Sequence, residues 1–341
     1  MQALRPGRFA GTASPERPAD AQPTFADPRR NPGRPNPMSA PRLVCVGHAA
    51  LDHVWEVQAF PAAPTKTPAQ GYRMQGGGMA FNAAVAAARL GASVRFVGRI
   101  GDDAAAEYLR GRLRHEGIDI AALETVCGTA TSVSAVIVDA QGQRQIYNQR
   151  GDAIASAHAL DTTVLHGADA LLVDPRWLPG AEAALRWARA HGVLSVLDAD
   201  VAPQADLQRL VPLADWAAFS EAGLACWAPQ AAREAALREA VALGARHALV
   251  TLGEHGSLRF DGGQLVACPT PVVRPRDTTA AGDVFHGALA VALAEGQEAG
   301  AAVVFASAAA ALKCERGLGA LGAPTRDELE RWSGQRAATT P

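Results

Sequence analysis

The sequence is short of aromatics, clustered cysteine, net charge and long apolar runs, and each shortage removes a class of function. Aromatic residues are 5% of the 341 residues, which favours helices packed closely on a sheet over an aromatic-rich binding module. The five cysteines, Cys45, Cys127, Cys226, Cys268 and Cys314, are odd in number, scattered and without a CxxC pair. That excludes a zinc ribbon and a disulfide scaffold and makes reduced thiols in a cytoplasm the expectation. A formal net charge of −2 leaves no cationic surplus for neutralising phosphates, so no nucleic-acid partner is expected. No run approaches the roughly 20 apolar residues of a membrane helix, so no membrane association is expected. The N-terminus has no apolar core like that of a secretory signal.

What is present is a 48% apolar chain dominated by alanine, long enough for two ordinary domains or one large α/β domain. Residues 1–41 stand apart: nine of the prolines fall there, among Arg and Ala, without apolar periodicity. Such a segment buries too little apolar surface to offset its ordering entropy and is expected to be disordered. Met38, just before the first strand, is the second expectation for where translation starts. A folded core is expected over 42–333 and a flexible tail over 334–341.

From Arg42 onward strand and helix patterns alternate. Short apolar runs such as Arg42–Gly47, Ala170–Val173, Leu194–Asp198, Trp216–Phe219 and His247–Thr251 read as buried strands. Between them lie helices that stop at glycine, among them Ala80–Leu90, Asp103–Glu116, Ala181–His191 and Ala231–Leu243. Helices over Asp283–Ala294, Gly300–Lys313 and Arg326–Trp332 follow. Repeated strand–helix units predict an α/β fold with a mostly parallel sheet covered on both faces. Segments near 50–75 and 130–148 break that rhythm. The second carries a hairpin signal at Asp139-Ala140-Gln141-Gly142, and together they read as a β lid beyond the strand ends, where ligands bind in open α/β sheets.

Three motifs could carry chemistry. Asp277-Thr278-Thr279-Ala280-Ala281-Gly282-Asp283 leads directly into a helix. The helix N-terminus offers unpaired N–H groups and the positive end of the macrodipole to an anion, and Ala280, Ala281 and Gly282 are small enough for close approach. Asp283 can accept a proton from a hydroxyl, or it is an ordinary N-terminal capping residue. Gly76-Gly77-Gly78 precedes a helix bearing Asn82 and either contacts a ligand through its backbone or forms a loop. Thr251, Gly253 and Gly256, just after a strand, either border a nucleotide or make a turn.

In this order the three motifs resemble the PfkB (ribokinase-like) family of sugar kinases, from about Arg42 to Pro324. The resemblance rests on GGGMAFNAAVAAARLGA at 76–92, VGRIGDD at 97–103 and DTTAAGDVFHGALA at 277–290, the last being the family's C-terminal signature. It implies a three-layer α/β/α sandwich with a small β-sheet lid, and transfer of a phosphoryl group from ATP, with Mg2+, to a sugar hydroxyl. Asp283 would be the base and the 280–283 amides the anion hole. Asp52, Asn82 and Gly76–Gly78 would bind sugar hydroxyls. Thr251, Gly253, Gly256 and Thr278 would border ATP, with Ala308–Cys314 beside the adenine. Magnesium would arrive with the nucleotide, and the lid would pair with its mate in a homodimer. Two departures stand out: Ala280 occupies a position that is usually Gly, and Ser220-Glu221-Ala222-Gly223 replaces an Asn-x-x-Glu motif, leaving Glu221 as a substitute near the metal and phosphates.

Within the family, LLVDPRW (171–177), VLDAD (196–200), DWAAFSEAGLA (215–225), GDVFHGALAVALA (282–294) and FASAAAALKC (305–314) are similar to sulfofructose kinases. That likeness implies an anionic sugar, 6-deoxy-6-sulfofructose, phosphorylated on its 1-hydroxyl, with Lys66, Asn148 and Arg176 reading the sulfonate. Neutral ketohexoses, ribose and fructose 6-phosphate remain alternatives, as does a catalytically weak sugar-binding protein. His286 reads as a packing residue. A nicotinamide dehydrogenase is disfavoured because Gly47-His48-Ala49-Ala50 after the first strand lacks GxGxxG.

Overall fold

The computed structural model describes residues 40–155 and 159–339. Residues 1–39, Met38 among them, lie outside the described residues. Pro41 belongs to the folded body, since its carbonyl accepts from the Ser93 amide at 2.9 Å.

The chain begins with β1 (Arg42–Gly47), β2 (Ala50–Glu56), β3 (Gly71–Gly77), α1 (Met79–Arg89), β4 (Ser93–Ile100), α2 (Ala104–His115) and β5 (Leu123–Thr125). It continues through β6 (Ser132–Val138), β7 (Arg144–Gln149), α3 (Asp152–Ala155), β8 (Ala170–Val173), α4 (Leu178–His191), β9 (Leu194–Ala199) and α5 (Gln204–Leu210). Then come β10 (Trp216–Ser220), α6 (Glu221–Trp227), α7 (Arg233–Ala242), β11 (His247–Thr251), β12 (Ser257–Asp261) and β13 (Gln264–Cys268). Three helices close the chain: α8 (Ala281–Ala294), α9 (Ala299–Arg316) and α10 (Arg326–Thr339).

A nine-stranded sheet in the order β13-β12-β11-β10-β9-β8-β1-β4-β5 forms the centre. It is parallel from β11 to β5 and antiparallel only at the β12–β13 edge. Alternate residues of β1 enter two different cores: Leu43 and Cys45 pack with α1, α8 and α9, while Val44 and Val46 pack with α4, α5 and α7. Burial on both faces is why these strands read as unbroken apolar runs.

The lid is a separate four-stranded sheet, β3-β2-β6-β7. Its β6–β7 turn is held by Asp139, whose Oδ1 accepts from the Gln141 and Gln143 amides at 3.0 and 2.8 Å, with Gly142 at φ 76°.

Helices α3 and α6 are absent from the sequence reading, and α10 is longer than expected. In α6 Gly223 is required, since a Cβ would lie 2.0 Å from the Ala199 carbonyl oxygen, and Ser220 caps the helix by accepting from the Gly223 amide at 2.8 Å. α10 continues past Trp332 into the segment expected as a tail, with the Arg336 guanidinium 4.7 Å over the Trp332 ring and bonded to the Val272 carbonyl.

Candidate active site

The C-terminal ends of β1, β8, β9, β10 and β11 open onto two cavities that share one wall. The first, about 540 Å³, lies between these strand ends and the lid, and His48, Asp198, Asp200, Ser220 and Asp283 are among its lining residues. The second, about 530 Å³, lies between the turns after β11, the strand-free segment before α8, and α9. Thr278, Ala281 and Gly282 line both. The turn before α8 is therefore the meeting point of the two chambers.

That turn presents unpaired amides to open space. The amides of Gly282 and Asp283 lie in the first turn of α8, where no intrahelical acceptor exists, and a Cβ on Gly282 would meet nothing within 4 Å. Ala280 enters the helix at φ 63°, ψ 15°, a left-handed conformation that suits glycine. The methyl has not prevented the turn; it has placed Ala280 in a strained region. Asp277 fastens the turn from beneath, accepting from the Thr279 amide at 2.8 Å and the Gly319 amide at 3.0 Å. Lys313, 0% exposed, donates from Nζ to the Asp277 carbonyl at 2.8 Å.

Asp283 lines the first cavity. Burial pushes its carboxyl well above the usual carboxylate range, with the nearby Asp198 charge adding and the Asn82 hydrogen bond opposing. Asn82 donates from Nδ2 to Asp283 Oδ2 at 2.6 Å. Close packing of α1 on α8 makes this possible: a Cβ at Gly287 would lie 2.5 Å from the Ala83 carbonyl oxygen. His286, one turn further along α8, sits with Nδ1 2.9 Å from Asp198 Oδ2, both side chains 2% exposed. Its imidazole is raised despite the opposing effect of burial, because Asp198 and Asp283 favour the charged form.

One face of the lid covers the first cavity. Ala50 and Asp52 of β2, Ser134 and Val136 of β6, and Arg144, Ile146 and Asn148 of β7 all line it, as does Arg150 just past β7. This is the period-two alternation of a strand, in register through Asp52↔Ser134 and Ser134↔Asn148. Burial raises Asp52 to about 6, against a hydrogen bond from Ser134. Asn148 Nδ2 donates to Ser134 Oγ at 3.1 Å. Arg150 and Arg176 both face His48, and burial pushes that imidazole down to about 4, with Arg176 and Arg150 adding to the shift and Asp174 opposing it. Asp174 Oδ2 accepts from the His48 and Ala80 amides, at 2.7 and 3.0 Å, and Oδ1 from the Arg176 amide at 2.9 Å. One buried carboxylate thus ties β1, α1 and the β8–α4 turn together.

The structure brings Asp52, Gly78, Asn148, Arg176, Ala280, Ala281, Gly282 and Asp283 to the first cavity. It brings Thr251, Gly253, Gly256, Thr278 and Cys314 to the second. Six expectations need correction. Asn82 lines neither cavity and touches Asp283 instead of open space. Gly76 and Gly77 are packing glycines: a Cβ would lie 2.2 Å from the Phe81 ring or from Asp52 Oδ2. Lys66 is exposed in the loop after Glu56, which leaves the lid at the end of β2 opposite Asp52. Glu221 is exposed on α6 and paired with Arg233; Ser220 and Asp200 face the cavity in its stead. Ala308 points into the core, because Ser307, Ala310, Ala311 and Cys314 form the cavity-facing stripe of α9.

A pfkB family carbohydrate kinase model matches residues 40–326. The chain belongs to that family. It is 32% identical to a Bacillus subtilis ribokinase over 297 residues, covering 85% of this chain and 98% of that protein. A Vibrio alginolyticus fructokinase is 28% identical over 281 residues, covering 76% and 92% of the two chains. The structure of Arabidopsis thaliana ribokinase complexed with ribose and ATP superposes with a TM-score of 0.76 at 26% identity, covering 86% of this chain and 98% of that one. The protein is accordingly a phosphotransferase with an alcohol acceptor, on a ribokinase-like fold.

Proposed function

We propose that this kinase transfers the γ-phosphoryl group of ATP to a hydroxyl of a sugar that carries an anionic group at its far end, with 6-deoxy-6-sulfofructose, through its 1-hydroxyl, as the substrate. The observation that carries this reading is the pair Arg150 and Arg176. Both line the acceptor cavity beside His48, and neither guanidinium forms a hydrogen bond or ion pair among the described residues. Two uncompensated guanidinium forks suit a tetrahedral anion, and the amide of Asn148 adds a donor.

In this mechanism Asp52 and the unpartnered His48 Nε2 bind sugar hydroxyls and hold the reacting one against Asp283. Asp283 accepts the hydroxyl proton as the oxygen attacks phosphorus in line, and charge developing on the phosphoryl oxygens meets the Gly282 and Asp283 amides. ATP occupies the second cavity, its base against the Ala310–Ala311 face of α9. No group of three or more His, Cys, Asp or Glu side chains poised for a metal occurs among the described residues. Asp198 and Asp200 nevertheless face the cleft, a donor set that fits magnesium carried in largely by phosphates and water. When bound, the ion supplies charge neutralisation.

A neutral acceptor is the second reading, favoured by the ribokinase and fructokinase relatives. Comparing Arg176→Ala on sulfofructose and on fructose separates the two. A Michaelis constant raised for sulfofructose alone supports the anionic acceptor, and equal effects on both contradict it. We also propose a homodimer through the outer face of the lid. There His53, Trp55 and Tyr72 stack at 5.3 to 6.1 Å between ring centroids, and Tyr72 and Tyr147 are 54% and 60% exposed. Sedimentation of Trp55→Glu tests it: a wild-type monomer would contradict the interface.

A further inference from the structure

Arg144, the first residue of β7, is separated by more than a hundred residues from the groups it touches. Its Nη1 donates to Thr279 Oγ1 at 2.8 Å and its Nη2 to Thr278 Oγ1 at 3.0 Å. Thr278 lines both cavities and Arg144 lines the first, so the guanidinium stands where donor and acceptor chambers meet. Its partners are neutral hydroxyls, and it pairs with no carboxylate among the described residues, although Asp198, Asp200 and Asp283 line the same cavity. A guanidinium has five N–H donors in a planar fork, and two are engaged here. The remainder are available to an anion at the turn. Arg144 also differs from Lys313, another cation of this region: Lys313 is buried beneath the turn and committed to the Asp277 carbonyl, whereas Arg144 reaches the turn from the lid. The alternation along β7 separates Arg144 from Arg150 by about 20 Å of strand at roughly 3.3 Å per residue. The two arginines therefore serve opposite ends of the cleft.

We infer that Arg144 is a further catalytic residue, binding the oxygens of the phosphoryl group while it is in transit. In the step, the bond from the acceptor oxygen to phosphorus forms as the bond from phosphorus to the leaving diphosphate oxygen breaks. The hydroxyl proton passes to Asp283. Arg144 keeps its protons and contributes charge and hydrogen bonds that are strongest when the phosphoryl oxygens are most exposed. The inference rests on transfer taking place at the 278–283 turn, and it is independent of which sugar is the acceptor.

The test compares wild type, Arg144→Ala, Arg144→Lys and Asp283→Ala on the best acceptor of a sugar panel, with thermal unfolding checked for each. Arg144→Ala should lower kcat by about 100-fold or more, with the KM for ATP and for sugar moving only a few-fold. Arg144→Lys should fall between, because it keeps the charge and loses the fork. Free guanidinium at millimolar concentration should restore part of the lost kcat in Arg144→Ala and none in Asp283→Ala. A kcat within twofold of wild type, or a loss confined to the KM for sugar, would make Arg144 a latch for the lid and overturn the inference. If Asp283→Ala itself turns over normally, the placement of the transfer step fails as well; if only Arg144→Ala does, the placement stands and the role of Arg144 falls.

Discussion

The two chambers are nearly equal in volume and differ in their charged residues. The first cleft collects Asp52, Asp198, Asp200, Asp283, His48, His286 and three arginines, whereas the second chamber has Glu254 and His255 but is walled mainly by Val272, Val273, Pro271, Pro275, Phe285 and the alanines of α9. A flat aromatic base needs surface and little else, and small residues on one helical stripe supply it. A sugar hydroxyl must be oriented, deprotonated and distinguished from its neighbours, which demands charged groups whose protonation is controlled. The contrast also divides the scaffolds. The second chamber hangs on the central sheet and its helices, while about a third of the first chamber's lining comes from a small sheet with one face in the cleft and the other outward.

The largest effect should come from removing the group at the junction. Asp283→Ala is expected to lower kcat by about 100- to 10,000-fold, the usual worth of a positioned base, while calorimetry still detects both ligands. Next in size, Arg176→Ala and Arg150→Ala should each raise the KM for an anionic sugar by about 10- to 100-fold, matching one charge-assisted hydrogen bond, with little change for a neutral sugar. Smaller is the effect of Asn82→Ala on the pH profile. As the proposed base, Asp283 would work only above its raised pKa, so kcat/KM should fall as pH drops through it. Losing the Asn82 hydrogen bond, which lowers that pKa, should move the acid limb to higher pH; an unmoved limb would detach Asn82 from Asp283. The smallest is Ala280→Gly, which removes a left-handed alanine. It should stabilise the fold by about 1 kcal/mol and raise the Tm by about 2–4 °C, read by calorimetry.

The same contrast explains what was legible in the sequence. The central sheet announces itself through doubly buried strands and glycine-stopped helices, and the turn at 277–283 through its own composition. What stays hidden is contact across the chain. Asn82 and Asp283 are each visible, but their hydrogen bond depends on how closely Gly287 lets α8 approach α1. β7 reads as part of the lid and is exposed along its length, but only Asn148 is singled out by resemblance, so Arg144 and Arg150 pass unnoticed although they share its parity. Ala308 fails by one residue of helical phase. Lys66 fails because its loop departs from the wrong end of a strand, which no local pattern reveals. Asp198 and Asp200, at the end of β9, follow the rule that ligands gather at the C-terminal ends of parallel strands, and that signal was available.

In the proposed function, a charged acceptor cleft meets a largely apolar nucleotide chamber at the 278–283 turn and selects an anion-bearing sugar. The measurement closest to it is kcat/KM for 6-deoxy-6-sulfofructose, fructose 6-phosphate, fructose and ribose side by side, in wild type and in Arg176→Ala. Sulfofructose should lead in the wild type and fall toward fructose in the variant. Ribose or fructose leading in the wild type, with Arg176→Ala leaving the ranking unchanged, would contradict it.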